Sequence, residues 1–398
     1  MNLKRVDAKI VRDSRKEKTI EVSLKTEFGL FSSSSPSGKS KGKWEKPYYI
    51  KDIKQDITTI KNFSDEICNL EIENFSDLKK VEDLLRGKIG SNTFFALETC
   101  LLKSLATWKG VELWQVINKN AKKFPFPVGN CIGGGLHTKS VRGKKPDFQE
   151  FLFVPKTNNF SDNVFLMKKA WKILGQELRL RKARGKRNDE NALSTSLSNE
   201  EVLEIMKKVK EELENETGKE ISIGVDIAAS SFYSRGFYLY KNKKRKLNKE
   251  KQISFILDLI DKYNLDYIED PLQEEDFSGF ARLKKEVIKV RPTCLVVGDD
   301  LTVSNLERFK KAIKEKSINA IILKPNQIGS LIEISEIAKL AKKLGIKTIM
   351  SHRSGETLDY SLADFAFAFQ TDYIKTGVMG KERDIKLKRL IDIENSLS

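Results

Sequence analysis

From residue 124 onward, short apolar segments alternate with longer segments whose apolar residues recur every three or four positions. The short runs predict buried strands, and the longer periodic segments predict helices packed beside them. This alternation is typical of βα units built around a parallel sheet. Six of the predicted strands end in a charged or titratable residue, and they cover residues 221–226, 265–269, 295–299, 320–324, 346–352 and 372–375.

Strands that end in reactive side chains favour a (β/α)8 barrel, because such barrels gather their active sites at the carboxyl ends of the strands. Two earlier apolar segments, 125–131 and 148–154, would complete the eight strands. A doubly wound open sheet is the alternative. That fold usually carries a glycine-rich phosphate loop, and neither GxGxxG nor GxxxxGK[ST] occurs in the chain. We therefore predict an α/β fold with a barrel domain at 124–398.

The first 123 residues predict a separate α+β domain. Three β-prone runs at 3–11, 19–25 and 29–33 predict a meander, and helical periodicity follows, including a helix at about 92–108. The segment 32–45, SSSSPSGKSKGKWE, is rich in Ser, Gly and Lys. Such a composition predicts a mobile surface loop, and a flexible linker is the simplest interpretation.

Three of the predicted strands end in carboxylates, namely Asp226, Glu269 and Asp299. In a barrel these groups would converge and repel one another, unless a hard divalent cation such as Mg²⁺ joined them. Lys324 and Lys375 end two further strands. A nearby cation lowers the pKa of a lysine, so that the lysine can accept a proton at neutral pH. A cation facing a lysine predicts abstraction of a proton next to a carboxylate.

The chain contains two histidines, His137 in a glycine-rich turn and His352 at the end of a predicted strand. A single histidine is more often structural than catalytic. Because both histidines fall where the pocket is expected, a role in the site is also open.

Together these segments resemble the enolase family, whose members interconvert 2-phosphoglycerate and phosphoenolpyruvate by reversible loss of water. The resemblance extends over nearly the whole chain. It rests on DSR at 13–15, PSG at 36–38, QEF at 149–151, GVD at 224–226, IEDP at 268–271, GDDLT at 298–302, LK at 323–324, SHRSGET at 351–357 and IKTG at 374–377.

The resemblance implies an enolase-type barrel with an N-terminal capping domain, and it implies roles for individual residues. Asp226, Glu269 and Asp299 would hold a first Mg²⁺. Ser40 would bind a second Mg²⁺ when the loop 37–42 closes as a lid. Lys324 would be the base that takes the C2 proton.

The same resemblance makes Glu190 the acid that helps expel the C3 hydroxyl, with Glu150 beside it. Lys375 would contact the substrate carboxylate. The other residues implied to bind substrate are Arg353 and Ser354 at the phosphate, and His137, Gln149 and His352 in the pocket.

The chain departs from the family pattern around two of these residues. Where the family has glycines on both sides of an Asp-Glu pair, this chain has Asn188 and Asn191. Asn tolerates positive φ best after Gly, so we predict that the turn survives and that Glu190 is the residue at risk of displacement. In the glycine turn, Gly133 and Leu136 stand where the family has Asn and Ser, so His137 is open to a different orientation.

The net charge of +17 is the remaining feature of the composition. The basic runs 179–187 and 241–249 are interpreted as solvated faces, with binding of nucleic acid or another polyanion as an open alternative. No apolar stretch is long enough to span a membrane, and the four cysteines are scattered, which predicts a cytoplasmic protein. The resemblance implies a homodimer or larger homo-oligomer. The alternatives for function are an inactive enolase-like protein that binds polyanions and a related lyase for another acid.

Overall fold

A computed structural model of the protein describes residues 2–39 and 42–397. The chain begins with the predicted antiparallel meander, which consists of strands β1 (Leu3–Arg12), β2 (Lys18–Thr26) and β3 (Gly29–Ser34). Along β2 the apolar residues Ile20, Val22 and Leu24 are buried, because alternate side chains point to one face of a strand. This face packs against a long helix of the same domain.

In the described part of the chain, five α-helices follow the meander. They are α1 (Ile53–Asn62), α2 (Ser64–Cys68), α3 (Leu78–Leu85), α4 (Ser91–Lys109) and α5 (Leu113–Asn118). Helix α4 is the one that covers the meander, and most of its residues are buried. It ends at Gly110, which has a φ of 65° and therefore adopts the left-handed conformation that favours glycine.

Eight strands of the larger sheet close into a barrel. The strands after the meander are β4 (Phe126–Gly133), β5 (Glu150–Pro155), β6 (Arg184–Arg187), β7 (Leu193–Thr195), β8 (Ile221–Asp226), β9 (Tyr233–Ser234), β10 (Phe237–Tyr240), β11 (Arg245–Leu247), β12 (Leu265–Glu269), β13 (Leu295–Gly298), β14 (Ala320–Leu323), β15 (Lys347–Ser351) and β16 (Tyr373–Lys375). The barrel order is β4, β5, β8 and then β12 to β16, and β16 pairs with β4. Buried Val128, Tyr267, Val297 and Ile322 pack together inside it.

One barrel strand runs against the others, which differs from the parallel sheet expected from the sequence. Strand β5 is antiparallel to both β4 and β8. The connection from β4 to β5 contains only one short 3₁₀ turn, Gly135–His137, and no crossover helix. A parallel neighbour needs a crossover of a dozen or more residues that is usually an α-helix, whereas antiparallel strands need none.

Among residues 42–397, nine further α-helices accompany the barrel. They are α6 (Phe160–Leu180), α7 (Asn199–Thr217), α8 (Lys249–Tyr263), α9 (Phe277–Val290), α10 (Leu306–Lys314), α11 (Pro325–Ile328), α12 (Leu331–Lys343), α13 (Ser361–Ala368) and α14 (Lys381–Leu397). Within the described residues, no helix has both the length and the apolar character that a membrane crossing requires.

A partly buried ion pair joins the N-terminal meander and its helices to the barrel. Lys103 Nζ on α4 lies 2.7 Å from Asp359 Oδ2, in the segment before α13. Ser33 on β3 donates a hydrogen bond of 2.7 Å to the same carboxylate oxygen. Burial acts to raise the pKa of Asp359, but the charge of Lys103 outweighs it and lowers the pKa to about 2. The two domains are therefore held together partly by charge.

Candidate active site

A small cavity of about 40 Å³ lies at the carboxyl ends of the parallel barrel strands. Sheet register brings its side chains to one level, since Asp226 pairs with Glu269 and Ser351 pairs with Lys375. Strand β5 is antiparallel, so it contributes its first residue, Glu150, which pairs with Asp226. The lining includes Gly38, Lys39, Glu45, His137, Gln149, Glu150, Glu190, Asp226, Asp270, Asp299, Asp300, Lys324, His352, Arg353, Ser354 and Lys375.

Lys375 lies among three carboxylates at one side of the cavity. Its Nζ is 2.9 Å from Glu150 Oε2, 3.3 Å from Asp226 Oδ2 and 2.8 Å from Glu269 Oε2. Gln149 Nε2 donates a hydrogen bond of 3.2 Å to Asp226. Burial acts to lower the pKa of Lys375, but the three acids outweigh it and hold this pKa well above its usual value. Lys375 is therefore a fixed positive charge.

Burial and mutual repulsion raise the pKa values of two of these acids. The pKa of Asp226 rises to about 6, mainly through burial and despite the nearby Lys375. Burial and the charge of Asp226 hold the pKa of Glu269 well above its ordinary value. An additional positive charge nearby would stabilise the ionised form of these two carboxylates.

Asp299 and Lys324 form an ion pair on the next two strand ends. Burial works to raise the pKa of Asp299, but the charge of Lys324 lowers it. Burial works to lower the pKa of Lys324, but Asp299 outweighs both burial and the nearby Arg353 and raises it. The lowered lysine pKa expected from the sequence presupposes a cation beside the amine. Here the group nearest to Lys324 is the carboxylate of Asp299.

The neighbouring acids Asp270 and Asp300 complete a second cluster with Asp299, with ligand atoms within 4.8 Å of one another. Asp270 accepts hydrogen bonds from the backbone amides of Asp299 at 3.0 Å and Asp300 at 2.7 Å. Each of its oxygens thereby accepts one backbone hydrogen bond, so Asp270 orients the turn that carries Asp299. Burial and the charge of Asp299 raise the pKa of Asp300 to about 7.

The donor set fits a hard divalent cation. All of the acids offer oxygen ligands, which Mg²⁺ prefers. Asp299 Oδ1 is buried and has no hydrogen-bond partner among the described residues. A buried, unpaired carboxylate oxygen is costly, and a cation would satisfy it.

His137 lies against two acids on the other side of the cavity. Its Nδ1 is 3.3 Å from Glu190 Oε1 and 3.6 Å from Glu150 Oε1. Burial acts to lower the pKa of His137, but the charges of Glu190 and Glu150 raise it to about 10. Burial acts to raise the pKa of Glu190, but His137 holds it well below its ordinary value. In this arrangement the proton resides on His137.

His352, unlike the protonated His137, is neutral. It is buried, and its Nε2 is 3.9 Å from Glu190 Oε2. Burial holds the pKa of His352 well below its ordinary value, because the attraction of Glu190 does not compensate for the lost hydration. His352 is therefore a neutral imidazole.

The turn that carries Glu190 survives the two asparagine substitutions. Asn191 has a φ of 63°, as predicted for the residue that replaces a glycine. Asn188 Oδ1 accepts hydrogen bonds from the amides of Glu190 at 3.0 Å and Ala192 at 2.9 Å. Asn130 Nδ2 donates 2.9 Å to Glu190 Oε2. These contacts keep Glu190 buried in the cavity rather than displaced.

Arg353 is held by the end of the loop that precedes α1. Its guanidinium is 3.1 Å from Glu45 Oε1 and donates to Tyr48 Oη at 3.0 Å. Burial acts to raise the pKa of Glu45, but Arg353 lowers it. The arginine is fixed and fully charged at the cavity wall.

The described part of the predicted lid loop lies on the cavity, where Gly38 and Lys39 belong to the lining. Ser37 and Gly355 exchange backbone hydrogen bonds of 2.7 and 2.9 Å. A Cβ at Gly355 would lie 2.0 Å from Asp13 Oδ2, so this contact requires glycine. The Lys39 amide donates 2.8 Å to Ser354 Oγ, and Lys39 Nζ is 3.0 Å from Asp189. Ser40, the predicted second Mg²⁺ ligand, lies outside the described ranges 2–39 and 42–397.

Apart from Ser40, which is not among the described residues, the predicted site residues line one cavity, with Glu269 just behind its wall and bonded to Lys375. Sequence reasoning missed Glu45 and Asn130, which hold Arg353 and Glu190. It also missed Asp270 and Asp300, for which a signal existed, since each directly follows a predicted ligand in an acidic pair. No local pattern marks Asn130, because it lies within a buried strand.

Comparison with known proteins gives concordant matches. The sequence profile described as "Enolase, C-terminal TIM barrel domain" matches residues 121–398. The chain is 38% identical to the protein named Enolase of Methanocorpusculum labreanum, with 96% of each chain covered. It is 35% identical to the Enolase of Natronomonas pharaonis, again with 96% of each covered. Identity to the Enolase of Archaeoglobus fulgidus is 34%, over 99% of this chain and 97% of the relative.

Proposed function

The chain belongs to the enolase family, and we infer that it catalyses the reversible dehydration of 2-phosphoglycerate to phosphoenolpyruvate. One observation of the site carries this conclusion. Lys324 and the His137–Glu190 pair line the same cavity, so that a base and an acid face a single bound molecule. Loss of water from adjacent carbons requires both groups, one to take the C2 proton and one to protonate the leaving hydroxyl.

We propose Lys324 as the base. Its amine must be neutral when it accepts the proton, whereas the ion pair with Asp299 favours the charged form. Substrate binding therefore has to weaken the contact between Lys324 and Asp299. The neighbouring Arg353 acts in the same direction, since its charge lowers the pKa of Lys324.

We propose that the acid is the His137–Glu190 pair rather than Glu190 alone. The pKa of Glu190 is held down, so the available proton lies on His137, 3.3 Å away. Transfer of that proton to Glu190 would place it on an oxygen that lines the cavity. Asn130 and Asn188 hold Glu190 in position for this transfer.

We propose that Arg353 and Ser354 bind the phosphate and that Lys375 binds the carboxylate of the substrate. Lys375 remains charged at all physiological pH values, so it stabilises the additional negative charge that appears after C2 deprotonation. Gln149, Glu150 and His352 would complete the wall.

We propose that Asp226, Glu269 and Asp299 hold the essential Mg²⁺ and that Ser40 contributes to a second one. Bound there, the cation would neutralise charge on the substrate carboxylate and on the enolate. The raised pKa of Asp226 and the unpaired Asp299 Oδ1 support this assignment. Lys375 and Lys324 form ion pairs with these carboxylates. Both amines would therefore change position when the cation binds.

The test follows the ultraviolet absorbance of the enol product after 2-phosphoglycerate and Mg²⁺ are mixed with the purified protein. We expect turnover that is lost on chelation and in Lys324→Ala. Lys284→Ala, which removes a partly buried lysine outside the cavity, is the matched control and should retain activity. Folded wild-type protein without turnover would refute the assignment and favour an inactive enolase-like protein.

We further propose that the protein acts in the cytoplasm, in glycolysis or gluconeogenesis, as a homodimer or larger homo-oligomer. The free state of Cys68, Cys100, Cys131 and Cys294 is consistent with a reducing compartment. Light scattering on the purified protein would test the assembly, and a monomeric mass at micromolar concentration would contradict it.

A further inference from the structure

A second cavity, about 340 Å³ in volume, lies beside the active site. Two basic segments that are about a hundred residues apart in the sequence form its walls. One is the loop 138–147 between β4 and β5, and the other is the turn between β10 and β11, within the basic run 241–249. We call this space the basic cavity. Its lining includes Lys144, Lys145, Lys241 and Lys244, the acid Asp147, and the apolar residues Leu136, Phe232 and Leu239.

The four amines of the basic cavity form no close ion pair with any described residue, although Asp147 interacts at longer range with Lys145 and Lys241. None of them lies within 4.0 Å of a carboxylate in the described part of the chain. Asp147, the acid in the lining, uses its oxygens to accept backbone amides of Lys241 at 2.7 Å and Asn242 at 3.3 Å. The positive charge is therefore available to an anion.

Specific contacts hold these like charges together. Asn242 Nδ2 donates 2.8 Å to the carbonyl of Lys145, which ties the hairpin to the loop. Lys145 Nζ donates 2.8 Å to the carbonyl of Thr138 and also bonds the carbonyl of Gly135. An ammonium group has three donors, so Lys145 retains one for a ligand. Burial together with the charge of Lys241 lowers the pKa of Lys145, which shows that the lysines repel one another.

Apolar residues form a second part of the lining of the basic cavity, beside the lysines. Leu136 and Leu239 are exposed, at 54% and 38%, and stand beside the lysines. Phe232 is partly buried against the rings of Tyr238 and Tyr240, at centroid distances of 6.3 and 4.9 Å. A concave site with an apolar wall and a few polar groups is typical of small-molecule binding. A volume of 340 Å³ admits a ligand of that size.

We propose that the basic cavity binds a nucleotide, with its phosphate chain on Lys144, Lys145, Lys241 and Lys244 and its planar ring against Leu136, Phe232 and Leu239. A nucleotide would contact both the lysines and the apolar wall of the basic cavity. An inorganic polyphosphate would leave the apolar wall without a partner. A single-stranded nucleic acid would need a groove that follows its backbone over several nucleotides, whereas the basic cavity is one concavity of about 340 Å³.

The test is calorimetric titration of the full-length protein with ATP at low salt. We expect one saturable site, and binding weaker by about tenfold in Lys241→Ala/Lys244→Ala, since two exposed charges are removed. Lys342→Ala/Lys343→Ala carries the same charge change on an exposed helix end far from the cavity, and it should bind ATP as wild type does.

Two further measurements decide which features recognise the ligand. Leu239→Ser should weaken ATP binding by severalfold and leave tripolyphosphate binding unchanged, because only the nucleotide uses the apolar wall. Addition of 2-phosphoglycerate should not displace ATP. The proposal is wrong if ATP fails to saturate, if the two lysine double variants lose affinity equally, if 2-phosphoglycerate competes, or if only an oligoribonucleotide binds.

Discussion

The charge of His137 provides the sharpest test of the proposed proton donor. Glu190 and Glu150 hold the pKa of His137 at about 10, against an ordinary value of about 6.5. The difference, 10 − 6.5, corresponds to about 5 kcal/mol of preference for the charged imidazole in the folded protein. Because this pKa is raised, the associated stabilisation is complete below about pH 6.5 and is lost as the pH rises towards 10.

Glu190→Gln removes the larger of the two acidic contributions and keeps the shape of the side chain. We expect the pKa of His137 to fall by about 2, which is roughly half of the shift, because Glu150 remains 3.6 Å away. The stability gained below pH 6.5 should fall in proportion.

The assay is an NMR titration of ¹⁵N-labelled imidazoles between pH 5 and 9. The chain has only two histidines, so the spectrum contains two side chains to assign. In the wild type we expect His137 to remain protonated throughout and His352 to remain neutral. Glu190→Gln should bring the titration of His137 into this range. A wild-type His137 that titrates near pH 6.5 would refute the shared-proton acid.

Three further predictions concern the domain contact, the Glu190 turn and the lid. Asp359→Asn should lower the free energy of unfolding at pH 7 by about 2 kcal/mol, as measured by urea denaturation, and this loss should shrink as the pH falls from 4 towards 2. An equal loss at pH 7 and at pH 2 would contradict the ion pair with Lys103. Asn191→Gly should retain turnover, whereas Asn191→Val should reduce kcat at least tenfold, because a β-branched residue resists a φ of 63°. Asp189→Asn should raise KM by less than about fivefold, since the partly exposed contact with Lys39 is worth at most ~1 kcal/mol; a larger loss would show that the pair does more than steady the lid.

The sequence predicted the barrel strands well where an apolar run ended in a charged residue. Strands 221–226 and 265–269 were predicted with the bounds that the structure has. The apolar run predicts a buried strand, and the acid marks its carboxyl end, where Asp226 and Glu269 stay buried but are paired with Lys375. The meander was equally clear, because its three runs are separated by short polar turns.

Strand direction and long-range pairing could not be read in the same way. The antiparallel orientation of β5 depends on how the chain returns after β4, and no residue within the strand encodes that path. The contact of Arg353 with Glu45 spans 308 positions in the sequence. The ion pair of Lys324 with Asp299 likewise joins two different strands, so no local pattern around either residue encodes it.

The reversed strand β5 also determines where the chain tolerates alteration. Its amino end supplies Glu150 to the reaction chamber, while its other end, Pro155, emerges on the far side of the barrel beside Ile221. Insertions or fusion partners placed just after Pro155 should therefore leave catalysis untouched. A change of equal length just ahead of Gln149 would displace both Gln149 and Glu150, the two residues of this strand end that we propose to contact the substrate.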